Sequence, residues 1–455
     1  MRLIAMLTIP KQVMSLSMVA SLWLPLVASA QSSPVPPDKS GQTVSARVVS
    51  STLASQTAIS PADTVSLEEL LREALTNNPA IQGAARRVEA LRARVPQART
   101  LPDPILSAGW AGDIRPFSVQ RNDPSSYRSL SVVQEIPFPG KLKLRGQVAD
   151  REAEAARWEY EATRRRLIAE VKLAYYDYFY VEKAIEITQK NRDLLEKLAK
   201  IAEVRYQVGK GLQQDVLKAQ VELSRLLQRL TVLEQQKKTS QVRLNTLLYR
   251  DPEAPLPPPA PVEKTELAYT LDALYELARQ NDTGLQGEQR LIERAQLAVD
   301  LARKQYYPDL SFGYMYQNRP LMPEMHGFTV SINIPVFYRT KQREGVNEAT
   351  QELTSSQRSR DNRETTLYFE VKEQYLAAKA SEDLARLFSQ AVVPQSALAL
   401  ESSLAAYQVG TVDFLTMVSN FIIVLDYEIN YYEELASYQK ALARLEVITG
   451  TELTK

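Results

Sequence analysis

The segment Gln147–Val208 reads QVADREAEAARWEYEATRRRLIAEVKLAYYDYFYVEKAIEITQKNRDLLEKLAKIAEVRYQV and contains no glycine or proline. Because nothing in it breaks a helix, the pattern predicts one continuous α-helix. At about 1.5 Å per residue, this helix would be about 90 Å long. A helix of that length does not fit inside a compact domain, so the sequence predicts an elongated protein.

A second helix follows the turn at Gly209, and its apolar residues have the three- and four-residue spacing of antiparallel helix pairs. These residues are Val216, Ala219, Leu223, Leu226, Leu230, Leu233, Leu244 and Leu247. The C-terminal part of the chain has the same spacing at Phe414, Met417, Phe421, Val424, Tyr431, Leu435, Tyr438, Leu442 and Leu445. We therefore predict a long helical hairpin in each half of the chain. Pro394 interrupts the second long helix, and we expect a kink or break there.

The two halves of the chain repeat each other. Residues Leu67 to Gly109 match Leu271 to Gly313 at an offset of 204, without gaps. Further on the offset drifts by a few residues, so that Tyr206-Gln207-Val208-Gly209 corresponds to Tyr407-Gln408-Val409-Gly410. Self-similarity of this kind indicates a duplicated structural unit. Each half follows one order: helix, strand, polar loop, strand, very long helix, glycine turn, long helix.

Alternating apolar and polar residues predict two strands in each half. The apolar positions are Leu106, Ala108, Trp110, Ile114, Leu130, Val132, Ile136 and Phe138, then Leu310, Phe312, Tyr314, Tyr316, Phe328, Val330, Ile332, Ile334 and Val336. Each strand has about 9 to 11 residues, a length that crosses a bilayer when tilted. The alternation suits a sheet with lipid on one face and water on the other. A half-buried hairpin of a soluble protein alternates in the same way, so the strands alone leave both readings open.

Several segments flank the repeats. Arg2 and Lys11 precede an apolar run, Val13–Val27, that ends in the small residues Ala28-Ser29-Ala30, a pattern typical of a cleaved secretory signal and less consistent with a membrane anchor. No later segment has the 18 or more apolar residues that a spanning helix needs. We divide the chain into a signal peptide (1–30), a disordered arm (31–63), a first repeat (64–251), a stiff proline-rich linker (252–262), a second repeat (263–450) and a tail (451–455).

The composition excludes several function classes. With Lys+Arg 55 against Asp+Glu 54, the net charge of +1 offers no basic surface for a nucleic acid, so we expect no such partner. The absence of cysteine and the single histidine argue against thiolate metal sites, disulfides and a histidine-based active site. No phosphate loop or nucleophile motif is present, so we expect neither an enzyme nor a cofactor. An exported coiled-coil scaffold is an alternative, but it does not account for the strands.

Four strands cannot close a barrel, and lipid does not tolerate an open sheet edge. If the strands enter a membrane, the chain must combine them with the strands of further copies of itself. We therefore expect a homo-oligomer whose strands contact membrane lipid.

The duplicated plan, the Tyr-x-Val-Gly turns and the segment Gln134-Glu135-Ile136-Pro137-Phe138-Pro139-Gly140-Lys141 resemble the outer-membrane efflux (TolC) family over about Ser66 to Leu453. The resemblance implies a mainly α fold that forms a homotrimer: a twelve-stranded outer-membrane β-barrel continued by an α-helical barrel across the periplasm. It also implies a passive exit duct, located in the cell outer membrane, whose partners are a periplasmic adaptor (membrane fusion) protein and an energised inner-membrane pump.

In that family the two helix turns form the periplasmic tip, where the adaptor binds and the tube closes. The resemblance assigns Tyr206, Val208, Gly209 and Asp215 to one turn and Tyr407, Val409, Gly410 and Asp413 to the other. Helix capping is an alternative role for both aspartates. Some relatives close the tip with an arginine where this chain has Val412 and with a second aspartate where it has Thr416. Hydrogen bonds from Tyr407 and packing between the helices would then have to hold the tube closed.

The segment Gln134–Lys141 resembles most closely the heavy-metal branch of the family, whose members serve RND-type pumps. Met322, Met325 and His326 in the last polar loop are weak candidates for Cu(I) or Ag(I) ligands, and an ordinary loop is the favoured interpretation. The same duct could serve drug efflux or type I protein secretion, because the adaptor and pump determine the cargo.

Overall fold

A computed structural model describes residues 64–112, 118–120 and 123–453. The expected signal peptide and arm lie outside the described residues, as do Ile114 and the last two residues of the tail. The first half contains α1 (Leu67–Asn77), α2 (Pro79–Arg99), β1 (Ile105–Ala111), β2 (Tyr127–Ile136), α3 (Lys141–Gln207) and α4 (Gln213–Leu248). The second half contains α5 (Leu271–Asn281), α6 (Thr283–Lys304), β3 (Asp309–Asn318), β4 (Met325–Asn333), α7 (Gln342–Leu387), a π-helical turn (Phe388–Val392), α8 (Val393–Val409) and α9 (Phe414–Thr449).

The predicted fold class, mainly α with a duplicated strand hairpin and helical hairpin, is confirmed. The prediction of one helix before each strand hairpin is wrong, because two helices stand there. Asn78 separates α1 from α2, and its side chain accepts a hydrogen bond from the Ala80 N–H at 2.9 Å. Asp282 separates α5 from α6 and accepts from the Leu285 N–H at 2.8 Å. Both side chains cap the start of the second helix, which sets a new helix axis.

The four strands form one antiparallel sheet in the order β1-β2-β3-β4. Its register places Leu106 beside Val132, Val132 beside Tyr314 and Tyr314 beside Phe328, all on one face. That face is apolar and open, since Phe328 is 82% and Leu106 70% exposed. Serine, glycine and threonine occupy the other face at Ser107, Ser131, Gly313 and Thr329. The predicted alternation is confirmed within the strands, whereas Phe138, Ile334 and Val336 lie beyond the strand ends.

Helix α3 is continuous, as predicted, and changes packing partners along its length. In the middle of the helix, Leu167, Val171 and Tyr178 share a core with α1 and α4. At its far end, Leu198 and Ala202 pack against residues of α8 and α9. Within the described part of the chain, none of the helices combines the length and the apolar character needed to cross a membrane.

The π-helical turn accounts for the last change in the offset between the repeats, from 200 to 201. Leu167 and Glu170-Val171-Lys172 recur 200 residues later as Leu367 and Glu370-Val371-Lys372, whereas Tyr206 and Tyr407 are 201 residues apart. A π turn contains one more residue than an α turn, so Phe388–Val392 absorbs this extra residue without breaking the helix. The expected interruption near Pro394 therefore exists, and it lies in the turn that precedes the proline.

The proline-rich segment 252–262 is packed against the first repeat. The Leu256 side chain is 6% exposed and belongs to the core of α1, α3 and α4. The Val65 N–H donates to the Pro258 carbonyl at 3.0 Å, and the Tyr178 hydroxyl donates to the Leu256 carbonyl at 3.3 Å. This segment therefore packs on the helices, with an apolar side chain in their core and carbonyls that accept hydrogen bonds from the first repeat.

Candidate functional site

The two Tyr-x-Val-Gly sequences form the same backbone turn. Gly209 and Gly410 have φ angles of 71° and 82°, in the left-handed region that glycine adopts without strain. In the first turn the Lys210 N–H donates to the Arg205 carbonyl at 2.8 Å, and in the second the Thr411 N–H donates to the Ala406 carbonyl at 3.0 Å. This six-residue closure is the Schellman arrangement of a helix end. Each long helix therefore ends at its glycine and reverses into the next one.

Both tip aspartates lie at the start of the helix that follows their turn. Asp413 is the N-cap residue of α9, and its carboxylate accepts from the Thr416 hydroxyl at 2.5 Å. Asp215 was expected at a cap position. It is instead the third residue of α4, within the first turn of that helix. Its carboxylate accepts from the Leu212 N–H at 3.4 Å. Both carboxylates also face the positive end of a helix dipole, which stabilises their charge.

The two tip tyrosines have different surroundings. Tyr206 is 46% exposed, whereas Tyr407 is 5% exposed. The Tyr407 ring lies 5.5 Å from the Phe414 ring, in a core with Leu198, Ala219 and Met417. Burial raises the pKa of Tyr407, with Asp215 adding to that effect and the Arg205 guanidinium opposing it. Tyr407 is thus the centre of the apolar core at this end of the helices.

Arg205 joins the two helical hairpins at the tip. It lies in the last turn of α3, and its guanidinium carbon is 4.6 Å from the centre of the Tyr407 ring. Its Nη1 donates to the Tyr407 carbonyl at 2.5 Å. That carbonyl belongs to the last turn of α8, where a positive charge is favourable. One side chain therefore caps the end of α8 and covers the ring of its buried tyrosine. We refer to this arrangement of Arg205 and Tyr407 as the clasp.

The clasp was not predicted from the sequence. After the second turn, where Val412 stands, this chain has no arginine. The structure supplies a guanidinium from the first turn instead. A signal was available in the sequence, because Arg205 directly precedes the first Tyr-x-Val-Gly and the corresponding residue before the second is Ala406. Among the described residues, Tyr407 and Asp215 form no hydrogen bond with each other.

Large apolar side chains are exposed around both turns. Val208 is 62%, Leu212 60% and Val409 77% exposed. On the flanks of α4 and α9, Leu217 and Leu415 are also more than half exposed. Exposed apolar side chains that lie close together indicate a surface that another protein covers.

Met322, Met325 and His326 do not converge on one point. Met325 and His326 are consecutive residues of β4, so their side chains lie on opposite faces of the sheet. The His326 ring nitrogen Nδ1 is 2.7 Å from the Tyr314 hydroxyl. In the part of the chain that the structure describes, no group of three or more histidine, aspartate or glutamate side chains could hold a metal ion.

Comparison with known sequences identifies the duplicated unit. The chain matches the family described as "Outer membrane efflux protein" over residues 70–248 and 274–451, which together comprise both repeats. It is also 28% identical to protein CyaE of Bordetella pertussis over 271 residues. That match covers 56% of this chain and 55% of CyaE, so the chain spans about half the length of this relative.

Comparison with solved structures gives the same fold. The outer membrane protein VceC from Vibrio cholerae is 18% identical with a TM-score of 0.72, and the match covers 85% of this chain and 96% of VceC. CusC, described in terms of folding and transmembrane channel formation, is 16% identical with a TM-score of 0.74, over 84% of this chain and 91% of CusC. At these identities the likeness establishes the fold alone.

Proposed function

The chain belongs to the outer membrane efflux protein family, and from that premise we propose that it forms the exit duct of a tripartite efflux system. It is an outer-membrane protein that extends into the periplasm. Channels of this family are trimers that work with adaptor proteins and inner-membrane pumps, and they are not enzymes. One observation carries the proposal: a single chain combines two features. Its sheet has an exposed apolar face, and its helical hairpins are joined at the tip by the clasp.

The sheet supports the part of the proposal that concerns the membrane. Leu106, Phe328 and Val330 project from one face, and each is more than half exposed. In water this surface would be costly, at about 25 cal/mol for each Å² of apolar area. In lipid it would be favourable, and the serine and threonine side chains of the other face would line a water-filled lumen. We propose that three copies contribute four strands each to one closed barrel.

The tip supports the part that concerns gating and docking. The clasp ties α3 of the first hairpin to α8 of the second, so the hairpins cannot separate at this end while it is intact. We propose that Tyr206, Val208, Gly209 and Asp215, with Tyr407, Val409, Gly410 and Asp413, form the gate and the adaptor contact. The exposed Val208 and Val409 would meet the adaptor, and adaptor binding would compete with the clasp.

For the cargo we propose heavy-metal cations, which are substrate and not a resident cofactor. The support is the likeness of Gln134–Lys141 to the heavy-metal branch, with an RND-type pump as the partner that this branch uses. Drug efflux or type I protein secretion would use the same duct. We also propose the division of the chain into signal peptide, arm, two repeats, linker and tail.

Two measurements test the proposal. The mature protein, extracted from outer membranes in detergent, should have the mass of three protomers in an elongated particle, and a monomer would contradict the duct. A deletion strain should become sensitive to metal salts such as those of copper, silver, zinc or cadmium. If the strain instead becomes sensitive only to hydrophobic drugs, the metal assignment fails and the duct remains.

A further inference from the structure

The two repeats of one chain meet along a boundary that we call the seam. A second boundary of this kind would form where the free edges of two chains meet. Inside the chain, β2 pairs with β3, and α3 packs against α6, so the first repeat meets the second. In the described residues β1 and β4 have no strand on their outer sides. The inference that follows rests on the proposed trimer and concerns which residues meet at its subunit boundaries.

The seam inside the chain contains a buried ion pair at the junction of strands and helices. Lys141 is the first residue of α3, and its Nζ donates to Asp309 Oδ1 at 2.8 Å and to the Tyr307 carbonyl at 2.9 Å. The lysine is only 1% exposed. A buried ammonium is tolerated because a carboxylate and a carbonyl satisfy it. This pair therefore fixes the start of α3 in the first repeat to the start of β3 in the second repeat.

Lys141 of the first repeat pairs with an aspartate of the second repeat. The strand that precedes α3, β2, lies between β1 and β3. Asp103 leads into β1 and Asp309 begins β3, and each directly follows a proline. Lys141 pairs with Asp309, the acid of the next strand along the sheet, and not with Asp103. At the seam, therefore, the lysine at the start of a long helix binds the aspartate at the start of the next strand in the sheet.

Lys341 is the counterpart of Lys141, since it lies 200 residues later and caps the start of α7. The strand before it, β4, has no following strand within the described residues of this chain. Lys341 and Asp103 are both exposed, and among the described residues neither forms an ion pair. We propose that each trimer boundary copies the seam inside the chain, with Lys341 of one protomer bound to Asp103 of the next. The trimer then has six lysine–aspartate pairs around one ring, three within chains and three between them.

The helices show the same complementarity at a second place. A Cβ atom on Gly287 of α6 would lie 3.7 Å from the Cβ of Trp158 on α3. The counterpart of Gly287 is Gly83 of α2, and a Cβ there would meet nothing within 4 Å. The counterpart of Trp158, at the offset of 200 that relates α3 to α7, is Arg358, which is exposed. The seam therefore places Arg358 of one protomer against Gly83 of the next.

Disulfide cross-linking tests this assignment directly, because the natural chain has no cysteine. A Cβ–Cβ separation of 3.7 Å is close to the mean for disulfides. The variant Trp158→Cys/Gly287→Cys should form a bond within one chain, which establishes that the chemistry works at this spacing. The variant Gly83→Cys/Arg358→Cys should give covalent dimers and trimers on mild oxidation. The control Gly83→Cys/Arg360→Cys should not, since Arg360 lies about 200° further round the helix.

Charge reversal tests the ion pair in the same background. Asp103→Lys and Lys341→Asp should each lower the yield of cross-linked trimer by about fivefold, the equivalent of roughly 1 kcal/mol, and the double reversal should restore it. If detergent-extracted protein is trimeric but the Gly83/Arg358 pair does not cross-link and the reversals have no effect, the seam assignment is wrong and the duct stands. If the protein is monomeric, both fail.

Discussion

The two turns at the tip share a sequence and a backbone but not a role. Gly209 and Gly410 adopt the same left-handed conformation, and both turns close with the same hydrogen bonds. Tyr206 nevertheless projects towards solvent, while Tyr407 is buried beneath Arg205. The difference lies in a neighbouring position, since the first turn is preceded by arginine and the second by alanine. The duplication preserved the backbone turn in both halves. One residue that differs between the halves, the arginine before the first turn, holds only the tyrosine of the second turn in place.

The largest contrast should come from truncating the two tyrosines. Tyr407→Ala removes a buried ring from the tip core and should cost about 3–5 kcal/mol of local stability. Tyr206→Ala removes a half-exposed ring and should cost less than about 1 kcal/mol. Hydrogen exchange of the amides in α8 and α9 measures both. Equal protection in the two variants would mean that the turns are equivalent after all.

Removal of the Arg205 side chain should cause the next largest loss of stability. Arg205→Ala deletes a charge-assisted hydrogen bond and a cation–π contact, worth about 2 kcal/mol together at this partly exposed site. Arg205→Lys keeps the charge but loses the flat guanidinium, so it should fall between Arg205→Ala and the natural chain. Thermal unfolding of the purified protein reports the order. A double-mutant cycle with Tyr407→Leu isolates the contact with the ring, and a coupling of zero would contradict the clasp.

Substitution of either glycine should cost the same stability, because the two turns have the same backbone conformation. Gly209→Ala and Gly410→Ala each force a Cβ into the left-handed region, at a cost of about 1–2 kcal/mol. Arg205 Nη2 would be 3.6 Å from the new methyl group at position 410, an ordinary contact. Chemical denaturation should therefore give the same loss for both variants. A loss at one position only would show that the two turns differ in their backbone as well.

The smallest effects belong to the aspartates. Asp413→Ala removes a carboxylate that lies at the N-cap position of α9, faces the positive end of its dipole and accepts from the Thr416 hydroxyl, and should cost about 1 kcal/mol. Asp215→Ala removes a weaker contact, at 3.4 Å, from the first turn of α4 and should cost about 0.5 kcal/mol. Asp413→Ser is the matched control, because serine caps a helix without a charge. Denaturation midpoints of the three variants give the ranking, and a greater loss from Asp215→Ala would assign that residue a role beyond capping.

The long helices, the strands and the duplication could be predicted from sequence because they follow from local periodicity. The glycine turns could be predicted too, since only glycine adopts their backbone angles without strain. Contacts between residues far apart in sequence could not. Arg205 reaches Tyr407 across 202 positions, and Leu256 enters a core formed by residues of the first repeat. The helix break at Asn78 was missed although the sequence signals it, since asparagine is a favoured N-cap residue and the proline that follows is favoured at the first helical position.

We propose above that this chain forms an export duct, and the clasp of Arg205 on Tyr407 would hold the tip of that duct closed. Single-channel conductance of the trimer in planar lipid bilayers tests it most directly, with Lys210→Ala as a control that removes the same charge from the same turn. We expect low conductance in the natural protein and in Lys210→Ala, and a severalfold increase in Arg205→Ala. Equal conductance in all three would contradict the claim.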